Sequence, residues 1–189
     1  MTIEELHAMK RDGRKIVAVV CWDQATAEAA DAAGADIVSV GDSVVTTFDE
    51  LLAHLAGVRR GVTRALVSCD LPEPSLDAAR RVLDAGADLV KVEERAAELA
   101  AAGIPVWAQI EAAGDAGPLA DAGAVLIDFR HSRPEAGAAA VAAVSIPVLG
   151  GLGGGPWLDG RIRAVHRLLG EPLAAYADDV RSGRPVKGD

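Results

Sequence analysis

"LDAGADLVKV", residues 83–92, decides the fold. It reads as the end of a helix, a glycine that turns the chain, and a short aliphatic run. The phrase stands earlier as "DAAGADIVSV" (31–40) and later as "ADAGAVLIDF" (120–129). "AGIPVWAQI" (102–110) and "VSIPVLGG" (144–151) are the same join with proline opening the strand. Repeated helix–glycine–strand units predict βα repeats around a parallel sheet.

Working outward, strands are predicted at 16–20, 36–40, 65–69, 88–92, 105–110, 124–128, 146–150 and 162–166. Helices are predicted at 24–33, 48–60, 75–85, 93–102, 115–122 and 134–143. "MTIEELHAMKRDGRK" adds an N-terminal helix and "EPLAAYADDVRSG" a last one. The strand runs are apolar on nearly every residue, which suits parallel strands covered on both faces. Eight strands in this rhythm predict an α/β fold, a compact (β/α)8 TIM barrel with an N-terminal helix and shortened βα loops. A doubly wound open sheet is the alternative. "GLGGGPWLDG", between the last two strands, is too short for a full helix. It lacks the Gly-Lys-Ser/Thr ending of a phosphate loop and reads as a turn.

Half of the 189 residues are hydrophobic, enough to fill the core of a single domain spanning 1–189. Only 3% are aromatic, so that core must be built from Ala, Val, Leu and Ile. The net charge of −9 argues against nucleic acid or an anionic membrane as partner. No apolar run reaches the roughly 18–20 residues of a membrane span. The charged N-terminal stretch has no signal-peptide core, so a cytoplasmic location is expected. Cys21 and Cys69 end apolar runs without metal-ligand spacing and read as small buried hydrophobes. The alanine-rich stretch 136–144 has little polar cover, which suits a homo-oligomer.

Active sites of parallel α/β folds form at the C-terminal ends of the strands. Following each run in turn gives Asp23, then Asp42 and Ser43, then Asp70, then Lys91 and Glu93. Gln109 and Glu111 follow the fifth run, and Asp128, Arg130 and His131 the sixth. Taken singly, each acid reads as a turn or helix-cap residue, and Glu93 as a helix opener. Together, acids and a lysine at one barrel mouth are a donor set for a hard divalent cation, Mg2+ above all. No His or Cys stands at zinc-ligand spacing.

Such a site suits enolisation of a 2-oxo acid. The cation withdraws electrons, Lys91 adds positive charge where negative charge develops, and a carboxylate across the barrel, Asp128, takes the C3 proton. His131 reads as an acid or base or, beside Arg130 and Arg133, as a group that binds a substrate carboxylate or caps a helix. His7, His54 and His166 carry no specific role, and Trp22 and Trp107 serve equally as pocket wall or apolar filling.

"VGDS" after the second strand, "CDLP" after the third, "AGADLVKVEE" at the fourth and "IPVLGGLGGG…DGRIRAVHRLLG" near the end resemble ketopantoate hydroxymethyltransferase, a family of the phosphoenolpyruvate/pyruvate barrel superfamily. The likeness runs from "VCWDQATAEAADAAGADIVSVGDS" to "YADDVRSGRPV". It implies that Asp42 and Asp70 hold Mg2+ with Glu93 beside them, and that Ser43 and Lys91 bind the 2-oxo acid. It also implies a strand-six carboxylate as base, 2-oxoisovalerate as substrate, methylenetetrahydrofolate as one-carbon donor, and a homo-oligomeric ring.

Asp128 stands where the family has glutamate, which draws the carboxylate back by roughly 1–1.5 Å on a scale where about 1 Å matters. Gln109 replaces a histidine, putting a neutral amide at a substrate-binding position. The segments after "GDS" and after the fifth strand are shortened to "VVTTFDE" and "EAAGDAG". A C–C lyase acting on another 2-oxo acid, or a non-catalytic binding or assembly barrel, is the alternative reading.

Overall fold

The computed structural model describes residues 1–41, 47–151, 154–168 and 173–185. Eight strands close into an all-parallel barrel in sequence order: β1 (Ile16–Cys21), β2 (Ile37–Val40), β3 (Leu66–Asp70), β4 (Leu89–Val92), β5 (Val106–Ile110), β6 (Leu126–Phe129), β7 (Val148–Gly150) and β8 (Gly160–Ala164). β8 pairs with β1, Ile16 opposite Gly160, so the sheet has no open edge and the doubly wound alternative falls away. Helices α2 (Gln24–Ala32), α3 (Phe48–Gly61), α4 (Leu76–Asp84), α5 (Ala96–Ala101), α6 (Ala116–Asp121) and α7 (Pro134–Ala143) follow β1 to β6 in turn. α1 (Ile3–Arg11) precedes the barrel and α8 (Leu173–Arg181) follows it. Among the described residues no helix is long and apolar enough to cross a membrane.

The repeated phrase works at three positions. Its helix ends at a glycine in the left-handed region, Gly86 at φ 106° for example. Its aspartate then ties the new strand to the one before. Asp36 donates its backbone N–H to Val17 O and accepts from Val17 N at 2.9 Å; Asp88 does the same with Val67. Asp159, ahead of β8, repeats the contact with Val148. Polar caps open the helices: Asp23, Thr47 and Ser75 each accept the N–H three residues on.

Two apolar layers result. Outward residues such as Val17, Val38, Val67, Val90, Val106 and Ile127 pack under the helices. Inward residues Ile37, Leu66, Leu89, Leu126, Leu149 and Ile162 fill the barrel, and Leu6 and Met9 of α1 join them. α1 thus stoppers one end. Its Lys10 ammonium donates to Val141 O (2.9 Å) and Ile146 O (3.0 Å) and pairs with Asp159. His7 makes a 2.9 Å hydrogen bond with Val125 O.

Several boundaries depart from the sequence reading, among them the starts of β6 and β7, each two residues later than expected. β8 spans 160–164 rather than 162–166, so His166 lies past the strand in a short 3-10 turn. α5 begins at Ala96, not at 93, because Arg95 takes a left-handed φ of 56°. Glu93 therefore precedes the helix rather than opening it. A 3-10 turn at Ala113–Asp115 leads into α6, whose span Ala116–Asp121 lies within the helix expected at 115–122.

Candidate active site

Alternation along a strand sends every second side chain inward. Above the aliphatic layer, those positions carry Ser39 on β2, Ser68 and Asp70 on β3, Lys91 on β4, Trp107 and Gln109 on β5, and Asp128 on β6. Register sets them side by side: Ser39 opposite Ser68, Asp70 opposite Lys91, Lys91 opposite Trp107, and Gln109 opposite Asp128.

Lys91 is the centre of this layer. Its side chain is 6% exposed, with Nζ 3.0 Å from Asp128 Oδ2 and 3.6 Å from Asp70 Oδ2. The ammonium also sits 5.2 Å from the Trp107 ring centroid, within cation–π range. Burial by itself lowers the proton affinity of such a lysine. Asp128 and then Asp70 outweigh it and hold the ammonium above its ordinary value, so Lys91 is charged at neutral pH.

The carboxylates are held differently. Asp70 Oδ1 accepts from Ser39 Oγ at 3.2 Å, and Ser39 and Ser68 lie in hydrogen-bond contact with each other. Asp128 is 2% exposed; one oxygen meets Lys91, and the other is buried without a hydrogen-bond partner among the described residues. That oxygen keeps its full capacity to accept a proton or a donor. Trp107 Nε1 is likewise buried and has no hydrogen-bond partner among the described residues.

A cavity of about 420 Å³ opens here, lined by Asp70, Leu71, Pro72, Pro74, Lys91, Glu93, Glu94, Gln109 and Arg130. With its amide oxygen turned to the guanidinium, the orientation that satisfies both groups, Gln109 accepts from Arg130 Nε at 2.8 Å and from Nη2. Arg130 Nη1 stands 3.8 Å from Glu93 Oε2.

Of the residues singled out in the sequence, Asp70, Lys91, Glu93 and Gln109 meet at this cavity. Asp128 does not line it but contacts Lys91, which does. His131 is exposed, at φ 52° in the turn after β6, and is not part of the lining. Asp42 and Ser43 lie outside the described residues. Asp23 caps α2. Trp22 donates to Gly41 O and stacks on His166. Cys21 and Cys69 are buried, and burial pushes the Cys21 thiol up to about 12. Ser39, Ser68 and the contact of Arg130 with Gln109 escaped sequence reasoning. The two serines sit inside runs that read as uniformly apolar, and only counting alternate positions would have placed them inward.

The donor set is suited to a hard cation. Asp70 and Glu93 bring carboxylate oxygens to one cavity wall, and Mg2+ needs only one or two carboxylates beside water and substrate oxygens. Among the described residues no group of three or more His, Cys, Asp or Glu side chains converges.

A closed eight-stranded parallel barrel is a TIM barrel, and its buried polar cluster around Lys91 lies at the strand ends, where such folds carry their active sites. Residues 1–113 match the family model described as ketopantoate hydroxymethyltransferase. The 3-methyl-2-oxobutanoate hydroxymethyltransferase of Synechocystis sp. is 33% identical over 220 residues, covering 90% of this chain and 84% of the relative. That of Xanthomonas axonopodis pv. citri is 32% identical, covering 89% and 79%. The chain belongs to the ketopantoate hydroxymethyltransferase family, a family of enzymes. Among solved structures, the phosphoenolpyruvate phosphomutase of Streptomyces platensis superposes with a TM-score of 0.67 at 16% identity, covering 97% of this chain and 89% of that one. A phosphonopyruvate hydrolase complexed with oxalate and Mg2+ gives the same TM-score of 0.67 at 16% identity and the same coverage, 97% and 89%. At such identities the likeness concerns the fold.

Proposed function

We propose that this enzyme removes a C3 proton from a 2-oxo acid of the 2-oxoisovalerate type and joins the enolate to a hydroxymethyl donor or another aldehyde-level electrophile. The observation that carries this reading is the Lys91 ammonium, buried between Asp128 and Asp70 at the cavity. A lysine held charged cannot serve as base. It is a fixed positive charge where an enolate oxygen gains negative charge, and in a water-poor site such a charge counts for far more than in water.

Asp128 is the base in this reading. Its contact with Lys91 engages one oxygen, and its unpartnered oxygen is the one that takes the proton. Asp70, braced by Ser39, and Glu93 would hold Mg2+, with Asp42 and Ser43 completing the cation and oxo-acid contacts. The cation supplies electron withdrawal from the oxo acid's carboxylate and ketone oxygens. Gln109 presents an amide toward the substrate, and His131 serves at most from outside the cavity lining. The donor that fits the family is methylenetetrahydrofolate, and the same reading places a homo-oligomeric enzyme of pantothenate synthesis in the cytoplasm.

The test is direct. Enzyme, Mg2+ and 2-oxoisovalerate are mixed with either methylenetetrahydrofolate or formaldehyde, and the product is followed by mass spectrometry. Gain of one hydroxymethyl group, abolished by a chelator and restored by Mg2+, is expected. No adduct from either donor would overturn the transferase assignment.

A further inference from the structure

Two non-glycine residues among those described hold a positive φ, Arg95 at 56° and His131 at 52°. Each directly follows a residue that lines the cavity, Glu94 and Arg130. A side chain is uncommon in the left-handed region, and where one persists its surroundings must hold it there. For Arg95 the holding contacts are plain. Its guanidinium donates from Nη1 to Pro74 O at 2.8 Å, and from Nε and Nη2 to the two oxygens of Glu98 at 2.9 and 2.6 Å.

Helix capping does not account for this arrangement. Arg95 stands at the N-cap of α5 without a side-chain cap bond, and the Glu98 carboxylate, three residues on, is taken up by the guanidinium. Nor is the pair a source of stability, since its side chains are 45% and 59% exposed and an ion pair so wet contributes little. The contacts instead join two loops. Seven of the nine lining residues lie in 70–74, where β3 ends, or in 91–94, where β4 ends. At their base the backbone ties these stretches, Leu71 N donating to Lys91 O at 2.9 Å. At the rim the tie is Arg95 to Pro74. Pro72 and Pro74 stiffen one side, and Ser75 caps α4 immediately after them. The fork onto Glu98 anchors the guanidinium to α5 on the other.

Asp70 comes from the first stretch and Glu93 from the second, so the way the two are joined sets the spacing of these carboxylates. Mg2+ is demanding of that spacing. We infer that Arg95 is a positioning residue: from its left-handed turn it staples the β4–α5 loop to the β3–α4 loop and presets Asp70 and Glu93 for a divalent cation. The inference rests on the cation reading proposed above.

Mn2+ binding to the full chain, read by electron paramagnetic resonance with melting temperatures alongside, tests it in the wild type, Arg95→Gly, Arg95→Lys and Asp70→Asn. Glycine takes the left-handed turn without strain and removes the staple alone. Arg95→Gly is expected to bind Mn2+ about tenfold or more weakly, with little change in melting temperature. Arg95→Lys keeps a donor for Pro74 O but cannot fork onto Glu98, and is expected to fall between the two. Wild-type Mn2+ affinity in Arg95→Gly, whatever its melting temperature, would make Arg95 a turn residue only and overturn the inference. Should the glycine variant fail to fold, wild-type affinity in Arg95→Lys would overturn it in the same way. Wild-type binding that survives Asp70→Asn would remove the cation reading and the inference with it. Binding lost in Asp70→Asn but intact in Arg95→Gly would overturn the inference and leave the cation reading standing.

Discussion

Lys91 on β4 and Asp128 on β6 form a 3.0 Å ion pair across β5, with side chains 6% and 3% exposed. A pair this deeply buried is a poor source of stability, because desolvation offsets most of the Coulomb gain. Its value lies in keeping a full positive charge at the cavity floor and a carboxylate next to it.

Removing one partner separates these effects. Lys91→Met leaves Asp128 and Asp70 facing each other without their shared cation. It is expected to cost about 3–5 kcal/mol in urea unfolding and to lower turnover by about 10²–10³. Adding Asp128→Leu to Lys91→Met should recover much of the stability and none of the activity.

Ser39 orients Asp70 rather than touching substrate. Ser39→Ala should fold with a loss of about 1 kcal/mol and bind divalent metal about 10–100-fold more weakly. Mn2+ binding read by electron paramagnetic resonance checks this without recourse to turnover.

Asp31 ties α2 to the approach of β3. Its carboxylate accepts from the backbone N–H groups of Thr63, Arg64 and Ala65 and from the Thr63 hydroxyl. Burial pushes the carboxyl up, but these bonds together outweigh it and leave it below the usual aspartate value. A group lowered in the folded state stabilises at neutral pH, and loses that contribution as pH falls below about 4. Asp31→Ala should therefore cost about 1–3 kcal/mol at pH 7, with the gap to wild type closing in denaturation curves taken toward pH 3.

Gly86 holds φ at 106°, and a Cβ there would stand 3.0 Å from Arg59 Cγ. Gly86→Ala is expected to cost about 1–3 kcal/mol, lowering the melting temperature by roughly 2–4 °C per kcal/mol. An unchanged melting temperature would show that the turn relaxes freely.

The repeated phrase made the barrel legible because one physical unit, helix, left-handed glycine, aspartate, strand, recurs with its signals in order. β8 opens two residues before Ile162, the first apolar residue that marks it in the sequence. Pairing starts at Gly160, where the backbone carbonyl of Ile16 leaves no room for a Cβ. "LDGRIRAV" carries the same aspartate-before-strand signal as "GADIVSV", with no helix ahead of it to announce the join. Lys91, Asp70 and Asp128 were legible as polar breaks at strand ends. Ser39 and Ser68 were not, since a serine inside an apolar run has no local mark of the face it takes. Nor was the contact of Arg130 with Gln109 of the neighbouring strand, which no spacing along the chain reveals.

The most direct test of the account is C3 proton exchange of 2-oxo acids in D2O, followed by proton NMR with Mg2+ present, for the wild type and Asp128→Asn. The wild type is predicted to exchange the C3 protons, and the variant to do so about 10²–10⁴ more slowly while still binding the acid. Exchange at the wild-type rate in Asp128→Asn would contradict the assignment of Asp128 as the base.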